Sequence, residues 1–273
     1  MKLGEILSEG KTKIIYENLE DPLTVYMQFK DDITAGDGVK HDVYDGKATL
    51  DWMTNRDIYE YLNRCGIKTH YISSHEQNIV LVKKLYRKIN LEVVSRRVAA
   101  GSILQWGKVH EGRLYSPPIT QFHYKDDSLH DPMIDQTYVD YLVDKKGASE
   151  YNTMIEMNKS IFWYLEAAFA KHHVQLIDIK LEYGIIKNNS KDGIIKNNTL
   201  DELVLIDEIT GGSFRLWPWK TDDGPDYQKM NILQDLNPEE RLDKDIYRMG
   251  GTENDVLSKF RTIAHMSSHF HQY

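Results

Sequence analysis

The stretch VQLIDIKLEYG, Val174 to Gly184, constrains this chain more than any other. Side chains of an extended strand alternate between its two faces. Asp178, Lys180 and Glu182 therefore share one face, while Ile177, Ile179, Leu181 and Tyr183 share the other. One face is made for a core, and the other carries two carboxylates flanking an ammonium. A second strand is expected over Glu202 to Thr210 (ELVLIDEIT), folding back as a hairpin that brings Asp207 beside Glu182. Oxygen ligands from adjacent strands with a lysine close by suit a hard divalent cation that bridges nucleotide phosphates. The same alternation equally fits a half-buried strand with a solvated polar face.

The segments before this pair supply further candidates. SEGKTKIIYE followed by DPLTVYMQFK reads as a β-hairpin with its turn at Asn18 to Pro22, after which Leu23, Val25, Met27 and Phe29 alternate with polar residues. Gly10 permits close backbone approach, and Lys11 and Lys13 are expected on the same side, as in a hairpin that cradles phosphate; the GxxxxGK[ST] spacing of a P-loop is absent. KDDITAGDGVKHDVYDGK is a turn-rich acidic loop without the order of an EF-hand. Leu50, Met53, Ile58, Tyr61, Leu62 and Cys65 recur at helical spacing up to a stop at Gly66. Tyr71 to Val94 reads as strand and turn. In SRRVAAGSILQWG, small residues after two arginines let a backbone approach an anion, with Ser102 offering a hydroxyl and Arg96 a bidentate fork; a helix-packing Ala/Gly patch fits the same letters.

Residues 113–132 read as a loop with Pro117, Pro118 and Lys125, and Ser149 as the N-cap of a long helix reaching His173. His172 and His173 suit the helix C-terminus better than a metal. GIIKNN at 184–189 recurs at 193–198, which fits a lengthened hairpin, and a helical tail runs from about Asn254 to His269.

Charge and composition exclude several classes. A formal net charge of −8 argues against general nucleic-acid affinity, so an anionic ligand needs a local cluster of Lys and Arg. Such clusters occur at Lys11 and Lys13, at Lys83 to Lys88, at Arg96 and Arg97, and at Arg215, Lys244 and Arg248; alone, Lys83 to Lys88 reads as a solvated strand edge. No apolar run is long enough to cross a membrane, and the opening MKLGEILSEG lacks the apolar core of a signal peptide, so a cytoplasmic protein is expected. The single cysteine, Cys65, excludes an internal disulfide. A chain of 273 residues is long enough for two lobes sharing a cleft.

Together, EGKTK, DDITAGDG, EVVSRRVAAGS, a loop ending in HDPM, LIDIKLEYG, LIDEITGGSFRLW and LDKDIYR resemble, in order, the motifs of the phosphoribosylaminoimidazole-succinocarboxamide synthase family, the SAICAR synthetases. The resemblance implies an α+β fold in two lobes: an antiparallel-sheet nucleotide lobe over residues 1–90 and a larger α/β lobe over 91–273. The nucleotide cleft would be similar to that of protein kinases and ATP-grasp enzymes. It implies a ligase that joins carboxyaminoimidazole ribotide to L-aspartate with ATP and Mg²⁺, through an acyl phosphate, releasing ADP and phosphate. Carried over by position, Lys11, Thr12 and Lys13 hold nucleotide phosphates, with Lys125 and Lys180 facing nucleotide or the transferred group. Lys180, Glu182 and Asp207 are the catalytic set, Glu182 and Asp207 hold Mg²⁺, and Val82 and Leu85 line the adenine pocket. Arg96, Ser102, Arg215, Lys244 and Arg248 bind the ribotide with Glu92 nearby, and Asp37 and Asp131 lie on loops of the substrate cleft. The family also implies a homodimer.

Three features depart from the family pattern: Arg97 where asparagine is usual, the repeat at 184–198, and a longer join from Pro218 to Arg241. Two rival readings differ in testable ways. A phosphotransferase of kinase-like fold would need an HRD-like catalytic loop and a DFG in order, and neither follows. A non-catalytic nucleotide-binding module would have no need of both metal carboxylates.

Overall fold

The computed structural model of the protein describes residues 1–36, 38–76, 78–105, 108–142, 147–187 and 201–273. From the N-terminus, β1 (Leu3–Glu9), β2 (Lys13–Asn18) and β3 (Thr24–Phe29) form an antiparallel meander, followed by a separate ribbon of β4 (Asp32–Ala35) and β5 (Lys40–Val43). The β2–β3 turn closes as its residue types require. The Asn18 amide donates to the Thr24 hydroxyl at 2.8 Å, and the Asn18 side-chain oxygen accepts from the Glu20 N–H at 3.0 Å. Strand β1 carries no clear sequence signal, because it is an edge strand broken by register shifts, and Leu3, Ile6 and Leu7 stay exposed on it.

Helix α1 (Lys47–Arg64) follows, ending at Gly66 with φ +83°. Its first turn is satisfied from outside: the Asp31 carboxylate accepts from the Ala48 N–H at 2.7 Å, which accounts for one acid of the turn-rich loop. Strands β6 (Tyr71–His75) and β7 (Ile79–Lys83) then complete the first sheet in the order β1-β2-β3-β7-β6.

The second sheet begins with β8 (Arg87–Val98) and β9 (Leu114–Tyr124), the latter paired with the short β10 (Met133–Ile134). The expected loop over 113–132 is thus largely a strand. Its two prolines, the signal that argued for a loop, sit where the β8–β9 register slips between Arg96 and Val98, so they remove no ladder bond from a regular stretch. Two helices, α2 (Gln136–Leu142) and α3 (Gly147–Ala170), precede β11 (Val174–Ile186). Helix α3 starts before Ser149, which lies inside its first turn rather than at its cap, and it stops at Ala170, short of His173. The second copy of the GIIKNN repeat and most of the hairpin tip lie outside the described residues.

β11 is the centre of the sheet. One edge pairs with β8, and the other is shared by β12 (Glu202–Ile206) opposite residues 182–186 and β13 (Phe214–Pro218) opposite residues 174–179. Of the expected polar face, only Lys180 is exposed, while Asp178 and Glu182 are buried. The tail folds as α4 (Asp245–Arg248) and α5 (Glu253–Ser267), the latter opened by a capping box between Thr252 and Asp255. One apolar cluster runs without a break from Val25, Met27 and Val82 of the first sheet, through Tyr59 of α1, to Leu181 of β11 and Phe260 of α5.

Candidate active site

The register of β11 and β12 sets the centre of the site. Glu182 lies opposite Ile206 and opposite Glu92 of β8, so the residue after Ile206, Asp207, arrives beside Glu182 as expected. The second strand is shorter than expected: it ends at Ile206, and Asp207 turns into the left-handed region with φ +71°. The Lys13 ammonium, on the neighbouring sheet, is bonded to both Asp207 and Glu208, and the Thr12 hydroxyl donates to Glu208 at 2.8 Å. Lys125 donates to Glu182, and Lys180 donates to Glu92 at 2.5 Å.

The charges of these groups depend on one another. Burial alone would raise the Asp207 carboxyl, but Lys13, then Lys88 and Lys125, hold it well below the ordinary carboxylate range. Burial pushes Glu182 up, and the charge of Asp207 adds to that push against Lys125 and Lys88. Lys13 and Lys125 are both held charged, because the nearby carboxylates outweigh their burial. Lys88 is ion-paired at 2.7 Å with the second oxygen of Glu182, so each oxygen of that buried carboxylate faces a lysine. Two buried carboxylates that repel each other and are balanced by lysines are a fitting oxygen donor set for a divalent cation. Among the described residues no third His, Cys, Asp or Glu completes a metal-holding group.

A cavity of about 300 Å³ opens beside this cluster. Ile15, Val25, Met27, Val82, Leu85 and Ile206 give it apolar walls, and Lys13, Lys88 and Asp207 stand on its lining. Val82 and Leu85 were expected here. Lys88 belongs to this cavity and pairs with Glu182, so Lys83 to Lys88 is not simply a solvated edge. Lys11 does not share the side of Lys13. It lines a second cavity of about 360 Å³ with Lys30, Asp32, Thr34, Gly38 and His41, because residues 11–12 form a bend in which strand alternation does not hold.

The arginine cluster lies further along β11. Asp178 faces Arg96 on β8 and Arg215 on β13, and it is ion-paired to both guanidinium groups. The Arg96 fork, expected to be open to an anion, is occupied by Asp178, the Gln121 side chain at 2.9 Å, the Ala100 carbonyl at 3.3 Å and the Ser102 hydroxyl at 3.2 Å. Arg215 also holds Asp245, which in turn pairs with Arg248. Gly101, at φ +67°, is required here: a Cβ would come within 2.5 Å of the Arg215 guanidinium. Arg97 points to the opposite face, bidentate to Glu166 at 2.7 Å, so its departure from the family pattern does not enter this cluster. Lys244, just before α4, accepts from the Tyr247 and Arg248 N–H groups through its backbone carbonyl, and its ammonium is buried among the charges of Arg248, Lys47 and Lys180. Asp131 caps a local turn through the Asp126 N–H at 2.8 Å, and Asp37 lies outside the described residues.

Glu208, Lys88, Ile15, Met27, Ile206 and His70 belong to the site without having been singled out from sequence. The alternation of KIIY and YMQF carries a signal for Ile15 and Met27, and Glu208 adjoins Asp207 in the same motif. Nothing local marks His70, and Lys88 is marked only as the end of the basic run Lys83 to Lys88.

An apolar cavity ending in paired carboxylates and lysines, set beside two antiparallel sheets, defines a nucleotide-using enzyme of the α+β class. The family model of SAICAR synthetase matches residues 6–262, nearly the whole chain. This chain belongs to the SAICAR synthetase family, ligases of purine biosynthesis. It is 39% identical over 251 residues to phosphoribosylaminoimidazole-succinocarboxamide synthase of Herpetosiphon aurantiacus, covering 91% of this chain and 89% of that protein. Among solved structures, it is similar to the crystal structure of phosphoribosylaminoimidazole-succinocarboxamide synthase from Ehrlichia chaffeensis, with TM-score 0.80, 31% identity, and coverage of 97% of this chain and 98% of that one. It is likewise similar to a SAICAR synthetase in complex with ADP, with TM-score 0.76, 30% identity and 97% coverage of both chains.

Proposed function

We propose that this chain joins carboxyaminoimidazole ribotide to L-aspartate at the expense of ATP through the cluster of Lys13, Lys88, Lys125, Glu182 and Asp207. The observation that carries the reading is the convergence of these five charges at the end of the apolar cavity. Adenine lies among Ile15, Met27, Val82 and Leu85, and the phosphates run toward Lys13 and Lys88. Glu182 and Asp207 hold Mg²⁺, which when bound neutralises charge on the transferred phosphoryl group. Lys125 is released from Glu182 to meet that group, and Lys180 keeps Glu92 oriented at the rim. Phosphoryl transfer to the ribotide carboxylate gives an acyl phosphate, whose carbonyl the aspartate amine attacks as phosphate leaves. The protein's part is to position the reactants, neutralise charge and exclude water.

The ribotide phosphate is assigned to Arg215, Arg248 and Lys244, with Arg96 acting through Ser102. Residues 1–90 supply the nucleotide side of the cleft and residues 91–273 the metal and ribotide side. Lys11, on the second cavity, is assigned to the far end of the phosphate chain. A cytoplasmic homodimer completes the reading, and sedimentation of the purified chain checks the assembly. The direct test is incubation with ATP, Mg²⁺ and the ribotide with and without L-aspartate. ADP release that depends on aspartate is expected. ADP release that ignores aspartate would favour the phosphotransferase reading, and none at all a binding module.

Lys244 gives this assignment a pH signature. Burial, then the charges of Arg248, Lys47 and Lys180, push its ammonium down from 10.5 to about 8. Because the folded chain binds fewer protons than the unfolded chain between those values, Lys244 adds stability as pH rises across that window. In the same window it loses the charge that would hold a phosphate. The ribotide KM is expected to climb as pH passes about 8, and Lys244→Gln is expected to raise KM at neutral pH while flattening the climb. A climb that persists in the variant assigns the effect to another group.

A further inference from the structure

Asp207 is a non-glycine residue at φ +71°, a conformation that side chains seldom adopt without support from their surroundings. That support comes from behind the site. The backbone carbonyl of Asp207 receives the Tyr59 hydroxyl at 2.8 Å and His70 Nε2 at 3.2 Å, which fills both of its lone pairs. Two residues on, the Ile209 N–H donates to the fully buried Asn55 side chain at 2.9 Å. The segment that carries His70 is itself tied to β12, with its N–H donating to the Leu205 carbonyl at 2.9 Å. Tyr59 is fully buried and its ring lies 5.5 Å from that of His70, so neither donor can swing away without opening the core. A carbonyl oxygen can only accept, so His70 Nε2 carries the proton that is aimed at Asp207.

From this geometry we infer that Tyr59 and His70 are positioning residues: they lock the Asp207 backbone in its left-handed turn and so aim the Asp207 carboxylate at the cation that accompanies the nucleotide. The inference rests on the reading of Asp207 as a metal ligand. It extends that reading to two side chains that make no contact with the Asp207 carboxylate itself. Loss of either donor leaves the carboxylate present and charged but free to rotate out of place. Groups that orient metal ligands from behind typically change affinity or activity by about 10- to 100-fold when removed.

The test uses Tyr59→Phe, which deletes one oxygen, and His70→Leu beside His70→Gln, whose amide restores an N–H donor. Binding of Mn²⁺ to the complex of the enzyme with ADP is followed by electron paramagnetic resonance, and binding of ADP without metal by calorimetry. Expected is a loss of roughly 10-fold in Mn²⁺ affinity for Tyr59→Phe and His70→Leu, with His70→Gln recovering most of the loss and with metal-free ADP affinity unchanged in Tyr59→Phe, whose side chain does not line the nucleotide cavity. If metal-free ADP weakens in parallel in Tyr59→Phe, or Mn²⁺ affinity is untouched in either variant, the two residues support the fold and the inference fails. Asp207→Asn serves as the separate control: should it also leave Mn²⁺ affinity untouched, the metal reading itself fails.

Discussion

Glu182→Gln and Asp207→Asn are each expected to lower turnover by roughly two or more orders of magnitude, since a metal that neutralises phosphate contributes several kcal/mol to the transition state. Each isostere keeps volume and removes one negative charge. The surroundings tolerate that removal unequally. Lys13 retains Glu208 when Asp207 is neutral, and Lys125, with a third of its side chain exposed, can turn to water when Glu182 is neutral. Glu182 and Asp207 also repel each other, so losing either charge relieves the other. The melting temperature should therefore move little for Glu182→Gln, whose charge burial disfavours, and fall for Asp207→Asn, whose charge the lysines hold in place, while the rate collapses in both. Steady-state rates at saturating Mg²⁺ decide the matter: near-normal turnover in either variant removes that residue from the ligand set.

Arg96→Ala is expected to act on the fold before it acts on the substrate. Taken from sequence alone, the change should raise the ribotide KM, because Arg96 reads as an open fork. In the structure the residue is 3% exposed and its guanidinium spends its donors on Asp178, Gln121, Ala100 and Ser102. Removing it leaves Asp178 with Arg215 alone and orphans the Gln121 side-chain oxygen and the Ala100 carbonyl. Breaking a buried pair from one side costs about 3 to 5 kcal/mol, and the surviving Arg215 contact places this case near the lower end. A melting temperature several degrees below that of the parent chain is expected. Ser102→Ala, which deletes one acceptor of a shared donor, should raise the ribotide KM with little thermal effect. The opposite pattern, a stable Arg96→Ala with a raised KM, would return Arg96 to direct substrate contact.

These two cases mark where the sequence is legible. Alternation in one strand is a local property, so the core face of β11, the β2–β3 hairpin and the meeting of Glu182 with Asp207 can all be read from the order of residues alone. The spacing of α1 is local too. What escapes such a reading depends on partners far along the chain. Asp178 is 82 residues from Arg96 and 37 from Arg215, and no motif advertises that it holds both. Lys88 looks like an edge residue until β8 pairs with β11 and carries it to Glu182. β9 reads as a loop because prolines usually interrupt sheets, and only the irregular register beside them shows how this one accommodates them. Lys11 and Lys13 fall on one side only if alternation is extended through a bend that does not obey it.

The unbroken apolar cluster beneath both sheets carries a consequence for how this chain can be taken apart. A fragment ending at residue 90 would lose helix α5, which packs against α1, and so open the α1 side of the shared cluster to water. The two halves proposed to divide the chemistry are therefore not expected to fold independently. Heat or denaturant should dissolve both in a single cooperative transition. A nucleotide bound on one side should protect amide protons on the other, and split versions of the enzyme should recover activity only when both pieces are refolded together.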